Sequence, residues 1–329
     1  LSIDEEPSNH YGEYGKAVEI TEAEAEEKKI RFNLHKFNEL ASIKMPILRK
    51  LPEKRRQSCF DRKYTMDLPS ASIIIIFHNE AFTTLIRTAH TAISRSPYHL
   101  VKEVILVDDF SDFEKFKELS TPLKEHFKNN NKVKILRAPK RVGLTMARLM
   151  GANIATGDVL VFLDSHCEAF DGWLEPLLLG IKDNPNFAIT PTIETINLDD
   201  FSINSLEINA ISVGTFNWKA DFTWYFSKDQ NLSANTLRSP AMAGGLFAIR
   251  KIFFFESGSY DDKMTFWGGE NIEMSFRLWM CGGGILQDKC SVVGHVFRRD
   301  SPHQLDSNSV LYNKLRGVEV WMDDYKNIV

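Results

Sequence analysis

Five consecutive apolar residues, Val159-Leu160-Val161-Phe162-Leu163, run without a break into Asp164-Ser165-His166. A run this short, with no polar face, suits a strand covered on both sides, as strands inside parallel sheets are. Strand side chains repeat every two residues, so Asp164 and His166 are expected to project from one side, roughly 6–7 Å apart at the Cα atoms and near enough to share one ion. By itself an Asp-x-His triplet is as readily a surface loop or a satisfied core pair. Its weight comes from its company along the chain.

The company is a repeating pattern. Ser72–Phe77, Val104–Val107 and Val133–Leu136 read as further strands, and Phe82–Arg95, Phe113–Phe127 and Leu144–Ala155 carry helical spacing between them. Strands alternating with helices in this way predict βαβ units and an α/β fold with a mostly parallel sheet covered by helices on both faces. Ligands of such sheets sit beyond the carboxyl ends of the strands. Three polar clusters fall at those ends: His78-Asn79-Glu80, Asp108-Asp109 and Asp164-Ser165-His166. Together they point to a nucleotide or phosphate site on one sheet edge.

Elimination narrows the ligand. There is no Gly-x-Gly-x-x-Gly after the first strand, no Walker lysine loop, no His-Glu-x-x-His and no Gly-x-Ser-x-Gly. A net charge of −4 gives no electrostatic footprint for nucleic acid, so a phosphate must be handled locally. Carboxylates repel a diphosphate unless a divalent ion neutralises both, and a mixed Asp/His set completed by phosphate oxygens suits manganese better than calcium or a structural zinc. No apolar run approaches the roughly 20 residues a membrane helix needs. The chain begins at Leu1, and is read as a soluble, mature or trimmed piece with any targeting segment outside it. The four cysteines form no Cys-x-x-Cys pair, and Asn231-Leu232-Ser233 is a glycosylation triplet that leans towards a secretory lumen.

Flanking this core are two less regular regions. Residues 1–57 are acidic, then helical over Ile20–Leu40, then basic and extended around Leu51–Arg56; they read as an arm laid on a domain or as a solvated linker. Beyond Pro191, Gly244-Gly245 precede an apolar strand, where a ligand could approach the backbone closely. Trp267-Gly268-Gly269-Glu270-Asn271 opens a helix over Asn271–Trp279, offering either a sugar surface of indole, carboxylate and amide or plain core packing with an N-cap. Gly294-His295-Val296-Phe297-Arg298 places a histidine and an arginine in a small-residue turn after Cys290.

Taken in order, these motifs resemble the polypeptide N-acetylgalactosaminyltransferases. The resemblance rests on Phe77-His78-Asn79-Glu80, Leu106-Val107-Asp108-Asp109, Arg141 with Gly143-Leu144, Leu163 to Glu168, Trp267 to Arg277 with Trp279 and Cys281-Gly282-Gly283, Gly294 to Arg298, and Glu319 to Asp323. It covers roughly residues 33 to 329.

The resemblance implies a GT-A catalytic domain, UDP-GalNAc as donor, Mn²⁺ as cofactor, and a Ser or Thr hydroxyl of a protein as acceptor, with the anomeric configuration retained. Asp164, His166 and His295 would hold the metal. Asp109 and Arg141, with His78, would serve the uridine side, and Asp164 would also face the donor. Gly244, Trp267, Glu270 and Asn271 would meet the sugar and acceptor, and Arg298 the diphosphate. It further implies a division into a stem or arm over 1–57 and a catalytic domain over 58–329, with a nucleotide-binding half of about 70–190 and an acceptor-binding half of about 191–329. Golgi lumen is the implied location, with membrane attachment only through an anchor outside this chain. Family pairing joins Cys59 to Cys290, leaves Cys281 without its usual partner and keeps Cys167 as a buried thiol.

Three departures bear on activity. His303 stands where many relatives carry an aromatic, and the glycine-rich continuation of that loop is missing; the family's domain continues past Val329; and a ricin-like lectin domain usually follows. Two other readings therefore stay open beside the transferase. One is a lumenal UDP-sugar or glycopeptide-binding homologue without turnover, and the other is a transferase of a different sugar.

Overall fold

The computed structural model describes residues 11–203, 211–227, 235–302 and 306–329. The Asn231-Leu232-Ser233 triplet and His303 lie outside these residues. The elements run α1 (Ala25–His35), α2 (Glu39–Lys44), α3 (Gln57–Phe60), β1 (Ala71–Phe77), α4 (Phe82–Ser94), β2 (Val101–Asp108), α5 (Thr121–Phe127) and β3 (Val133–Arg137). Then come α6 (Leu144–Ile154), β4 (Val159–Asp164), β5 (Cys167–Ala169), α7 (Leu174–Asp183), β6 (Phe187–Ile196), β7 (Ile211–Phe216) and β8 (Phe222–Ser227). The last are β9 (Thr236–Arg238), β10 (Phe247–Arg250), α8 (Lys251–Glu256), α9 (Glu270–Met280), β11 (Gly284–Val296) and α10 (Ser307–Trp321).

The main sheet has the order β3-β2-β1-β4-β10-β6-β11-β5, with β9 paired to β11. Its first four strands are parallel, as their spacing in the sequence predicts. β10 then enters antiparallel between β4 and β6, and β6 resumes parallel pairing with β11. β4 lies at the centre and its side chains feed both faces: Val159, Val161 and Leu163 enter one core, Leu160 and Phe162 the other. Full burial of each contributes about 1.5–3 kcal/mol, so β4 fixes the backbone at Asp164 firmly. Amphipathic helices cover the faces, α4 burying Leu85, Ile86, Ala89 and Ala92 at helical spacing.

The segment before β1 packs on the domain. Val18, Phe37, Ala41 and Met45 join a third core with Phe170, Phe201 and Val296. Arg49, fully buried, donates from Nε and Nη2 to Glu168 at 2.9 Å each. A Cys59–Cys290 disulfide fastens the same segment to β11, as the family pairing implied; Cys167 is a buried thiol and Cys281 an exposed one.

Three sequence expectations are corrected. The helix expected over Ile20–Leu40 is broken at Lys36, whose φ of 61° ends α1, and α2 restarts with the Asn38 side chain accepting from the Ala41 N–H. The helix expected over Phe113–Phe127 is a 3₁₀ turn at Lys117–Leu119 followed by α5, with Pro122 in the first turn of α5. The turn expected around Gly294 and His295 is instead the end of β11, held by ten register positions against β6.

Candidate active site

Asp164 ends β4, between Ile76 of β1 and the loop leading to β10. The chain then turns through Ser165 and His166 into β5, so His166 reaches the site from a turn and not, as strand alternation suggested, from the same strand face. β5 pairs antiparallel with β11, setting His295 opposite Cys167. One ligand atom from each of Asp164, His166 and His295 lies within 4.8 Å of the others. His295 Nε2 is 3.1 Å from Asp164 Oδ2, and the two imidazole centroids are 4.8 Å apart.

The donor set fits a divalent ion. One carboxylate oxygen and two imidazole nitrogens converge, and His295 Nδ1 is buried without a hydrogen-bond partner among the described residues. The backbone of Gly245 comes so near that a Cβ there would sit 2.2 Å from Asp164 Oδ2. Only glycine leaves that carboxylate free to turn towards the two histidines.

Glu80 braces the cluster from behind. Its Oε2 accepts from His166 Nδ1 at 2.9 Å and from Ser165 Oγ at 2.7 Å, while Oε1 accepts from Arg298 Nη2 at 2.6 Å and the Ala81 N–H at 2.9 Å. Burial opposes ionisation of Glu80, but Arg298 and His166 outweigh it and hold the acid well below the usual carboxylate range. With Nδ1 tied to this carboxylate, His166 presents Nε2 as its free nitrogen. Burial first, and Arg298 second, push its imidazole down to about 4, so at neutral pH it is uncharged. Asp164 stays ionised because His295 and Arg148 offset its burial.

A second bridge leaves the other Asp164 oxygen. Arg148 of α6 is 2% exposed; its Nη2 lies 3.6 Å from Asp164 Oδ1, its Nη1 lies 3.8 Å from Glu270 Oε1, and Nη1 donates to Tyr260 Oη at 3.2 Å. Glu270 Oε2 accepts the Gly268 N–H at 3.0 Å, and Asn271 Nδ2 donates to the Met242 carbonyl at 3.3 Å. Gly244, at φ 89°, packs where a Cβ would meet Asn271 Cβ at 2.6 Å. Gly244, Glu270 and Asn271 thus form one group, with Trp267 beside it and 51% exposed.

The third group lies one strand over. Both Asp109 oxygens are occupied: the Val142 N–H donates to Oδ1 at 2.7 Å, and the Gly143 N–H at 3.0 Å and the Arg141 guanidinium donate to Oδ2. His78 Nδ1 is 2.8 Å from the Asp109 carbonyl. Asp109 therefore acts through the 141–143 loop that it shapes. That loop is locked to the Trp267 side, since the Leu144 N–H donates to the Phe266 carbonyl at 2.7 Å.

The sequence places Glu80 only within the polar cluster that follows β1, and gives no role to Arg148 or Tyr260. For Arg148 a signal existed: it shares a buried helical face with Ala147, Gly151 and Ala152, where an arginine has to find carboxylates.

A glycosyl transferase family 2 model matches residues 72–254, more than half of the chain, from the second residue of β1 into α8. The chain belongs to glycosyl transferase family 2. Within that family it is 45% identical to polypeptide N-acetylgalactosaminyltransferase 5 of Caenorhabditis elegans, over 96% of this chain and 52% of the relative. It is 44% identical to polypeptide N-acetylgalactosaminyltransferase 13 of Homo sapiens, over 96% of this chain and 58% of the relative. The crystal structure of GalNAc-T7 with UDP, GalNAc and Mn²⁺ superposes with a TM-score of 0.90 at 36% identity, covering 97% of this chain and 60% of that one. The GT-A fold and the resemblance read from the motifs are both borne out. The chain spans about half the length of the curated relatives it matches.

Proposed function

We propose that this family 2 chain transfers N-acetylgalactosamine from UDP-GalNAc to Ser or Thr hydroxyls of proteins, with retention, and that Asp164, His166 and His295 hold Mn²⁺. The convergence of those three ligand atoms within 4.8 Å carries the reading. The names of the relatives, and the UDP, GalNAc and Mn²⁺ of the GalNAc-T7 structure, supply the donor, acceptor and metal. We place the arm at 1–57 and the catalytic domain at 58–329, with nucleotide and acceptor halves of about 70–190 and 191–329. We also place the protein in the Golgi lumen, attached to membrane only through a segment outside this chain. No described helix is long and apolar enough to cross a membrane.

Bound at this site, the ion is a Lewis acid that offsets charge gathering on the departing diphosphate. The residues do the rest. Glu80 fixes the His166 ring and anchors Arg298, which then faces the diphosphate from one direction. Asp109 holds Arg141 and the 141–143 loop in shape for the uridine, with His78 behind it. Gly244, Glu270 and Asn271 form the wall for the sugar, and the exposed Trp267 faces the acceptor. Glu270 is engaged by the Gly268 N–H and Asp164 belongs to the metal cluster, so neither is a free nucleophile. The hydroxyl then attacks on the face the phosphate leaves from, and that phosphate takes its proton. A glycosyl-enzyme adduct trapped by mass spectrometry would sink this front-face route.

The deciding experiment incubates a Thr-rich peptide with the protein and UDP-GalNAc, with Mn²⁺ or with chelator, beside His166→Ala. The expected result is a metal-dependent gain of one N-acetylhexosamine, lost in the variant. Mn²⁺-dependent UDP binding without transfer would replace the reading with a non-catalytic one, and transfer from UDP-GlcNAc alone would change the donor.

A further inference from the structure

Arg298 lies two residues beyond the end of β11, outside the sheet that places His295. An arginine there has many rotamers open to it and needs to be held. Glu80 takes one edge of the guanidinium, through Nη2 at 2.6 Å. One broad face is covered by the Phe37 ring, 5.0 Å from Cζ to the centroid. The side chain is 15% exposed, and its Nε is buried without a hydrogen-bond partner among the described residues. The ring therefore covers a part of the guanidinium that no polar group serves.

Phe37 comes from the far end of the chain and is itself immobilised. The left-handed Lys36 turns it inward, and Asn38 pins the backbone on the next side, its N–H donating to the Leu198 carbonyl at 2.8 Å and its Nδ2 to Asp199 O at 2.7 Å. The ring is 0% exposed, stacks on His35 at 5.8 Å and meets the Phe201 ring edge-on at 5.8 Å. A cation over an aromatic face is attracted by the ring quadrupole, and the attraction grows as water is excluded.

We propose that Phe37, supplied by the N-terminal segment, is a positioning residue for Arg298 and so sets the affinity of the site for a nucleoside diphosphate. The proposal rests on the transferase reading above. Phe37 touches no substrate; it acts by keeping the guanidinium on Glu80, with its Nη1 group turned to the phosphates. Because Glu80 also holds His166 Nδ1, the contact ties the N-terminal segment to the metal cluster through two side chains.

The test is a double-mutant cycle read by UDP titration in Mn²⁺ and, separately, by melting temperature. Phe37→Leu keeps an apolar side chain and removes the ring face; UDP affinity should fall about fivefold, the equivalent of roughly 1 kcal/mol. In an Arg298→Lys background the same change should alter UDP affinity by less than about twofold, because the planar guanidinium that the ring held is gone. An equal loss in both backgrounds, or no loss with Arg298 present, overturns the proposal, since a purely structural ring would not distinguish arginine from lysine. Phe37→Met replaces the leucine variant if that one does not fold. Failure of the wild-type chain to bind UDP at all overturns the transferase reading instead, and the proposal with it.

Discussion

On the Oδ2 side of Asp164, His166 is backed by Glu80 at 2.9 Å and Glu80 by Arg298 at 2.6 Å; on the Oδ1 side, Arg148 spans to Asp164 and Glu270 at 3.6 and 3.8 Å. The first distances are charge-assisted hydrogen bonds, which fix direction as well as charge. The second are too long for that, so Arg148 acts there mainly as a buried positive field between two carboxylates. The two sides of one aspartate are therefore held to different tolerances. On the proposed reading this suits a metal on the first side, whose ligand atoms must be set to a few tenths of an ångström, and a sugar and acceptor surface on the second, where Trp267 is half-exposed.

The largest effect should come from removing the residue both sides share. Asp164→Asn is expected to lower transfer by at least about 10²–10³-fold and to abolish Mn²⁺ dependence, read as peptide glycosylation against metal concentration. Next comes the tight side alone: Glu80→Gln keeps the shape but weakens the hold on His166 and Arg298. Mn²⁺ affinity should fall about 10–100-fold, measured by titration, with Glu270 and Asn271 undisturbed. A smaller effect is expected on the loose side. Arg148→Lys cannot face Asp164, Glu270 and Tyr260 together, so kcat should drop about tenfold while Mn²⁺ affinity moves by less than about threefold. Equal losses of metal affinity in the last two variants would erase the distinction between the sides.

The smallest expected effect supplies a baseline away from both. His90 and His126 face each other across α4 and α5 with Nε2 atoms 2.7 Å apart. Burial first, and His126 second, push the His90 imidazole down to about 4, against an ordinary value of 6.5. The unfolded chain binds that proton more tightly, so the associated stability is intact above about pH 6.5 and is lost as pH falls towards about 4. The melting temperature should drop across that window, and His90→Gln should flatten the drop without changing transfer at pH 7. Loss of activity in acid can then be separated into loss of fold and loss of the site.

Which parts were readable from the sequence follows from how local their causes are. β1 to β4 announce themselves because each is a short apolar run between polar strand ends, and α9 because Gly268-Gly269 precede a helical pattern. The break at Lys36 was signalled by the capping Asn38 and the start of α5 by Pro122, but uninterrupted helical spacing masked both. The end of β11 is hidden from the sequence because glycine and serine near Cys290 look like a turn, and only pairing with β6, about a hundred residues away, makes them a strand. The site divides in the same way. Asp164 and His166 are near neighbours and were found by pattern, whereas His295 is 131 residues from Asp164 and entered only through the family resemblance. Arg148 and Tyr260 are 112 residues apart, and no spacing rule joins them.

That long separation has a consequence for how the protein is made. Asp164 at the end of β4 and His166 in the turn after it leave the ribosome when β4 can already pair with β1, but β11 follows about 120 residues later, and until it lies between β6 and β5 His295 is not beside them. A growing chain therefore carries Asp164 and His166 without the third member of their cluster, and on the proposed reading it can take up the ion only once β11 has joined the sheet.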